Sequence, residues 1–528
     1  MTRDPAAPNS SSSNPANPNL VRIRLEPLAI ELDVPRGVSL TSTLAAQGVE
    51  FPCGGMGECG GCGVRILTDS LAVTSADREI FTPDQLASGW RLACQAHADV
   101  PLVLECGQWN MEILADNERR STPTESAAAD SVREGGNSRL NHGLGIAIDL
   151  GTTTIAAQII DLGSGNVLGV ETALNSQGAF GSDVMSRIHA VLNGEDLTAP
   201  IRATLGAIVA RLARGRESQI SEVLLVGNTV MHHLFSALDV ESLAHVPFQS
   251  PHLGEQHFTV RELGWDLPTG CKIRFARCLG GFVGSDILAG IVATGIADGD
   301  RLSALIDLGT NGEIAIGNRH GIVCASTAAG PAFEAGSIRM GMRAVTGAVS
   351  YVALDGDSLR ATVIGDVAPR GICGSGLVDA VAAGLANSAI LASGRIANGS
   401  KTLPVAPPVV LYQSDIRELQ LAKAAIAAGF RLLLNCLGAS VSDLQSVHLA
   451  GAFGNYVQIE SARRIGLIES PRAIVRAAGN TALRGAKMLL LAGAEPPLPP
   501  IEHVSLAADP AFQDEFANCM AFPAPQKL

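Results

Sequence analysis

Three textures of apolar and polar positions succeed one another along the chain. From Leu20 to about Glu105 single apolar residues alternate with polar ones, as in Val21-Arg22-Ile23-Arg24-Leu25 and, beyond Glu26-Pro27, in Ile30-Glu31-Leu32-Asp33-Val34. Period two is the mark of a half-buried strand, so these runs predict a hairpin. Helix formers fill Val38 to Gln47 after Gly37, and strand-like runs recur at Val64 to Leu67 and Val100 to Leu104. A small α+β domain over residues 20–107 is therefore expected. The second texture, residues 108–143, is richest in Ser, Glu, Arg, Gly and Pro from about Leu114 to His142 and nearly empty of apolar positions. It reads as a flexible linker whose ~29 most polar residues would hold the flanking parts roughly 30 Å apart as a coil. From Leu144 onward apolar strand-like runs alternate with Ala-rich helical patterns and end in Gly-rich turns. That is the pattern of an α/β domain with well-covered strands, and residues 144–528 are long enough for two lobes.

Composition sharpens this picture. At 528 residues the chain exceeds the ~250–300 at which one core stops growing, and 47% apolar with 17% charged residues excludes wholesale disorder. Residues 1–19, Pro-, Ser- and Asn-rich without an apolar core segment, read as a disordered tail rather than a leader. No apolar run reaches the ~20 residues of a bilayer span, the best being Lys487 to Ala494. A soluble cytoplasmic protein is expected. Lys and Arg number 38 against 51 Asp and Glu, a net charge of −13 that argues against nucleic-acid and anionic-membrane partners.

The eleven cysteines are unevenly placed: Cys53, Cys59, Cys62 and Cys94 cluster and the other seven are scattered. An odd total without an export signal speaks against a disulfide framework and for metal. CGGMGECGGC, Cys53 to Cys62, followed by Cys94 in WRLACQ, is one residue longer in its first loop than the C-x₄-C-x₂-C of plant-type 2Fe-2S domains. Its glycines let a loop wrap tightly and aim N–H groups at cluster sulfurs. Zinc, buried thiols, and Cys106 in place of Cys94 are the alternatives.

Two strands end alike. GIAIDLGTTT (Gly145 to Thr154) and ALIDLGTNGE (Ala304 to Glu313) each run into Asp-Leu-Gly-Thr, as a duplicated lobe would. Such a turn offers N–H groups and hydroxyls to phosphate and a carboxylate to hydrated Mg²⁺. The pair resembles the phosphate-1 and phosphate-2 loops of the superfamily of acetate and sugar kinases, heat-shock chaperones and actin. That resemblance implies a two-lobed, ribonuclease H-like fold binding ATP. It places GGFVGSDILAG (Gly280 to Gly290) and GNTALRGAKML (Gly479 to Leu489) at the two connecting helices and VHLAGAFGN (Val447 to Asn455) at the adenosine motif. Asp149 and Asp307 are the candidates for organising Mg²⁺ and the attacking water, and Asp286 for positioning that water, against an ordinary helix N-cap. Gly151, Thr152, Thr153, Gly309, Thr310 and Asn311 are expected at the phosphates. Gly330 and Glu334 in GPAFE, Gly374 and Ser375 in GICGSG, and Gly451 and Gly454 in GAFGN are expected in ligand-facing loops. Cys373 reads as loop filler, and the adjacent His232 and His233 as packing rather than a metal pair.

A ferredoxin-like segment joined to such an ATPase resembles one family, the reductive activators of corrinoid proteins. GSDVMSRI, VGNTVMHHL, AAGPAFEAGSIRMGMRA, GICGSGLVDA and DIRELQLAKAAIAAG carry the likeness beyond the motifs above. It implies a β-grasp ferredoxin-like domain with a 2Fe-2S cluster on Cys53, Cys59, Cys62 and Cys94, then the ATPase with ATP and Mg²⁺. It also implies one-electron reduction of Co(II) to Co(I) in the corrinoid protein of a methyltransferase or demethylase system, with an upstream electron donor; a homodimer is compatible with it. One departure stands out: family members carry a further folded segment where this chain has its polar linker. The rival functions are ATP-driven electron donation to another low-potential acceptor, a redox-linked small-molecule kinase, and a non-enzymatic nucleotide-gated redox sensor or chaperone.

Overall fold

The computed structural model describes residues 19–26, 30–45, 62–68, 71–81, 83–106, 143–181, 183–309, 311–356, 358–451, 457–471 and 474–523. The tail and most of the linker lie outside them.

The first unit is a five-stranded sheet in the order β2-β1-β5-β3-β4. It comprises β1 (Leu20–Glu26), β2 (Ile30–Pro35), β3 (Gly63–Ile66), β4 (Trp90–Leu92) and β5 (Leu102–Cys106), with helices α1 (Leu40–Ala45), α2 (Ser75–Ile80) and α3 (Pro83–Ala87). β1 and β2 pair antiparallel from Leu20↔Pro35 to Leu25↔Ile30, the hairpin that alternation predicts, and β1 runs parallel to β5. Alternation decides which side chains go inside: Ile23 and Leu25 join Val64, Leu92, Leu102 and Leu104 beneath Leu40 and Leu44 of α1. This is a β-grasp ferredoxin-like fold.

The rest is built twice. One sheet has the order β10-β11-β9-β6-β7-β8. Its strands are β6 (Leu144–Leu150), β7 (Thr154–Asp161), β8 (Val167–Leu174), β9 (Ile220–Gly227), β10 (Gln256–Phe258) and β11 (Lys272–Phe275), with helices α4 (Val184–Leu192), α5 (Thr198–Ala213), α6 (Thr229–Ser236), α7 (Glu241–Ala244) and α8 (Val260–Leu263). After α9 (Ser285–Thr294) the second sheet is laid down from β12 (Leu302–Leu308), β13 (Gly312–Asn318) and β14 (Gly321–Thr327). In each lobe three antiparallel strands are extended on the far side of the first by two parallel ones, β9 then β11 in the first lobe, with β10 antiparallel at its edge, and β20 (Leu444–Ala450) then β21 (Val475–Gly479) in the second. The second lobe adds a small sheet of β15 (Ala348–Asp355), β16 (Ser358–Val363) and β17 (Gly371–Ile372), then α10 (Gly374–Ala386), the hairpin β18 (Thr402–Ala406) and β19 (Val409–Tyr412), and α11 (Gln413–Cys436). It closes with β20 (Leu444–Ala450), α12 (Ile459–Arg464), β21 (Val475–Gly479), α13 (Thr481–Ala492), β22 (Ile501–His503) and α14 (Pro510–Cys519).

The lobes exchange helices. Ile287 and Ile291 of α9 pack on Leu305 and Ala315 of the second sheet, while Ala482, Ala486 and Leu490 of α13 pack on Ala147, Leu224 and Val226 of the first. They cross closely because a Cβ on Gly485 would lie 1.9 Å from the Ala289 carbonyl oxygen. Among the described residues α11 is the one helix long and apolar enough to cross a membrane. Asp415, Arg417, Glu418 and Lys423 interrupt its apolar run, and its Leu419, Ala422, Ile426 and Leu433 lie inside the second lobe's core.

Candidate functional site

The twin turns follow β6 and β12, so the fold places Asp149 and Asp307 at equivalent strand ends. Burial holds both carboxyls above the ordinary range, Asp149 near 6 and Asp307 near 7, the latter also raised by Asp149. Asn480 caps α13, accepting from Leu483 N–H (2.8 Å), and its amide donates to Asp149 Oδ2 (2.9 Å). The second connecting helix is thereby tied to the first turn. Asp286, in the first turn of α9, is not the N-cap; Gly284 is. Its Oδ1 accepts from the Ile287 N–H at 2.8 Å, and burial followed by Asp307 and Asp149 pushes its pKa up to about 8.

A fourth carboxylate joins them. Glu313 stands directly opposite Asp307 across β12 and β13, so both side chains leave the same face. Its carboxyl is buried and held well above the usual range by burial, Asp286 and Asp307. Sequence reasoning quoted Glu313 inside its motif without giving it a role; the antiparallel pairing supplies the signal.

The first phosphate turn is framed by Asn175, Arg187 and Asn228, to which the motifs assign no role. A Cβ on Gly151 would sit 2.5 Å from the Thr154 oxygen, so the turn demands glycine there. Asn175 donates from its N–H to Thr153 O and from its amide to Gly151 O, both at 2.9 Å. Arg187, fully buried, donates to Thr152 O at 2.6 Å, and Asn228 donates to the Thr152 hydroxyl at 2.8 Å. Arg187 and Asn228 lie in GSDVMSRI and VGNTVMHHL; Asn175 carried no signal. Thr153 donates to Glu334 Oε2 at 3.2 Å, across the cleft from one lobe to the other.

At the second turn Gly309 N–H donates to Asn311 O at 3.1 Å, and the Asn311 side chain bonds Glu313. Gly451 has φ +86°, and a Cβ there would press on Asp307 Oδ1 at 2.7 Å. Thr310 and Gly454 lie outside the described residues. Gly330, with φ +74°, borders open space before the 3-10 turn that ends at Glu334. GICGSG departs from the expected loop. Gly374 begins α10, and the buried Ser375 hydroxyl donates to Ser350 O of strand β15 at 2.8 Å. Cys373 is buried with its thiol toward Val349 O, and His233 spends both ring nitrogens on Thr229 O and the Ser250 hydroxyl.

Among the described residues no three His, Cys, Asp or Glu side chains converge closely enough to enclose a metal ion. The carboxylates suit Mg²⁺ in another way: buried like charges gain from a cation held through water, with phosphate oxygens as the direct ligands.

In the small domain Cys62 is buried and Cys94 half-buried in the 3-10 turn Ala93–Gln95. Pairing of Gly63 with Leu92 and the Ala93 N–H bond to Cys62 O (3.2 Å) bring the two cysteines alongside. Asp77 anchors that strand: its Oδ2 accepts from Thr74 in a capping box and its Oδ1 from Leu92 N–H at 2.7 Å. Gln95 donates to Cys94 Sγ at 3.5 Å, the kind of bond an electron-rich thiolate accepts. Cys53 and Cys59 lie outside the described residues. The two placed thiols fit a cluster site.

Three family models match successive parts of the chain. A family described as a 2Fe-2S iron-sulfur cluster binding domain matches residues 23–99, which hold Cys53, Cys59, Cys62 and Cys94 and stop short of Cys106. The "RACo middle region" matches 144–299 and the "C-terminal domain of RACo the ASKHA domain" matches 301–527. The chain is 35% identical over 415 residues to the corrinoid activation enzyme RamQ of Eubacterium limosum, covering 70% of this chain and 69% of that one. It is 28% identical over 382 residues to the [Co(II) methylated amine-specific corrinoid protein] reductase of Methanosarcina barkeri, covering 66% and 70%. A solved reductive activator for corrinoid, iron-sulfur protein superposes with a TM-score of 0.64 at 27% identity, covering 96% of this chain and 98% of the other.

Proposed function

Because the chain belongs to the family of reductive activators of corrinoid proteins, we propose that it reduces the Co(II) form of a corrinoid protein to Co(I) at the expense of ATP. The observation that carries this reading is the joining, on one chain, of a 2Fe-2S-type domain to a two-lobed cleft floored by Asp149, Asp286, Asp307 and Glu313. When bound, the cluster supplies one electron at a time. Cys53, Cys59, Cys62 and Cys94 hold it, and an upstream donor refills it.

In the cleft, Asp149 and Asp307 hold hydrated Mg²⁺, Asp286 orients the attacking water, and the N–H groups of Gly151 to Thr153 and Gly309 to Asn311 receive the phosphates. Thr152 serves through its backbone, its hydroxyl being engaged by Asn228. Gly451 and Gly454 are assigned to the adenosine. The need for ATP follows from energetics. Plant-type clusters lie near ~−400 mV, and every further ~59 mV uphill costs tenfold in a one-electron equilibrium. A nucleotide state that binds the Co(I) form, or a distorted and more reducible Co(II) form, better than the relaxed Co(II) partner moves that equilibrium by its differential affinity, and hydrolysis then releases the product and resets the cleft. The activity belongs in the cytoplasm, where thiols stay reduced.

Separation of function tests the assignment. Cys94→Ser is expected to lose the visible absorption of the 2Fe-2S cluster and all cobalt reduction while still binding ATP. Asp307→Asn is expected to keep the absorption and lose ATP-dependent reduction. A Cys94→Ser protein with an unchanged spectrum would contradict the ligand set.

A further inference from the structure

The small domain is seated on the ATPase domain, and its seat touches both lobes. From the second lobe the Arg370 guanidinium lies over the Trp90 ring, 3.6 Å from its centroid. Trp90 opens β4, the strand that leads to Cys94, and Arg370 stands immediately before β17, its N–H donating to Gly347 O at 2.8 Å. Burial draws the Arg370 pKa down to about 10, Glu105 of the small domain opposing that and Arg65 adding to it. A cation partly stripped of water against an aromatic face is a specific contact rather than a chance approach. From the first lobe Leu174 packs against the small domain's core, and the 3-10 turn Ser176–Phe180 packs against α1, which also lies on the 3-10 turn carrying Cys94. Between Leu174 and that turn stands Asn175, whose two bonds reach Thr153 O and Gly151 O of the first phosphate turn.

We propose that this seat is a nucleotide-responsive latch: the small domain parks across both lobes, and nucleotide at the Gly151–Thr153 turn releases it. The inference rests on the nucleotide-binding reading above. The physical reason is shared support. Asn175 cannot follow the phosphate turn without carrying Leu174 and Ser176–Phe180 with it, and Arg370 belongs to the opposite lobe. A change of lobe angle therefore cannot preserve both halves of the seat. The domain's release frees α1 and the Cys94 turn for a partner protein. Linkage makes the coupling reciprocal, so whatever breaks the seat must strengthen nucleotide binding by the factor with which nucleotide promotes release.

The test uses the full chain, small-angle X-ray scattering, and titration with the magnesium complex of a non-hydrolysable ATP analogue. Wild-type protein is expected to be compact alone and larger with the analogue. Arg370→Glu, which sets a carboxylate on the Trp90 face near Glu105, is expected to be enlarged without analogue and to bind it at least about fivefold more tightly. Leu174→Asp breaks the other half of the seat and is expected to reproduce both shifts. Folded variants that stay compact would overturn the seat. Enlarged variants with wild-type analogue affinity would overturn the coupling. Failure of the wild type to bind the analogue would remove the nucleotide reading and the latch with it.

Discussion

Asp307 and Glu313, direct partners across two strands, form a like-charged pair that ordinary sheets avoid because it costs stability. Its presence beside Asp286 and Asp149 makes sense where a cation arrives. Asp307→Asn removes a carboxylate that would hold the magnesium ion whose charge stabilises the transferring phosphoryl group, and is expected to lower ATP hydrolysis by ~10²–10³ with little change in folding; a steady-state rate near wild type would count against the cleft. Asn480→Leu removes the donor to Asp149 Oδ2. A hydrogen bond to a charged group contributes ~1.5–3 kcal/mol to folding, so the unfolding free energy from denaturant titration should fall by about that much, and an unchanged value would mean that the bond does not tie the helix to the turn. His232 offers a check with a defined sign. Burial and the neighbouring His233 lower its pKa from 6.5 to about 4. Between those values the unfolded chain binds more protons than the folded one, so stability present above pH 6.5 is lost as pH falls toward 4. His232→Phe, keeping a ring against Phe275 at its 4.9 Å edge-to-face distance, should flatten that acid slope of Tm. Sequence motifs pointed to Asp149, Asp286 and Asp307 because strand-then-turn chemistry is local. Asn175, Asn480 and Glu313 matter through partners far along the chain or across a strand pair, which no local pattern displays.

At the scale of elements, both the duplicated Asp-Leu-Gly-Thr strands and the small residues of GNTALRGAKML were readable, since each reflects a requirement on a single strand or helix face. The exchange of α9 and α13 between lobes was not, because it depends on which sheet each helix covers. Gly485 carries the crossing. Gly485→Ala drives a methyl group into the Ala289 backbone, and overpacking of this kind costs ~1–3 kcal/mol. Thermal unfolding should move down accordingly, and nucleotide affinity with it, since the crossing also positions Asn480 and Asp286. An unchanged Tm would mean that the helices part without cost and cannot serve as a hinge. The GICGSG segment shows the opposite failure of local reading. Its glycines suggest a loop, yet they permit close packing instead, a Cβ on Gly376 meeting Val349 O at 2.2 Å.

At the scale of the whole molecule, the chain joins an electron carrier to a nucleotide-driven clamp. The division was visible in the sequence because the cluster of Cys53, Cys59, Cys62 and Cys94 is confined to the first part and the twin turns to the second. How the parts touch was not visible, for Trp90 and Arg370 are 280 positions apart and no local pattern pairs them. The central claim is that ATP enables electron transfer from this chain to cobalt. The most direct measurement mixes the chemically reduced protein with a Co(II) corrinoid protein of a methyltransferase system and follows the Co(I) absorption band with and without ATP and Mg²⁺. The account predicts a Co(I) band that grows only with ATP and is absent for Asp307→Asn; equal Co(I) formation with and without ATP, or none in either case, would contradict it.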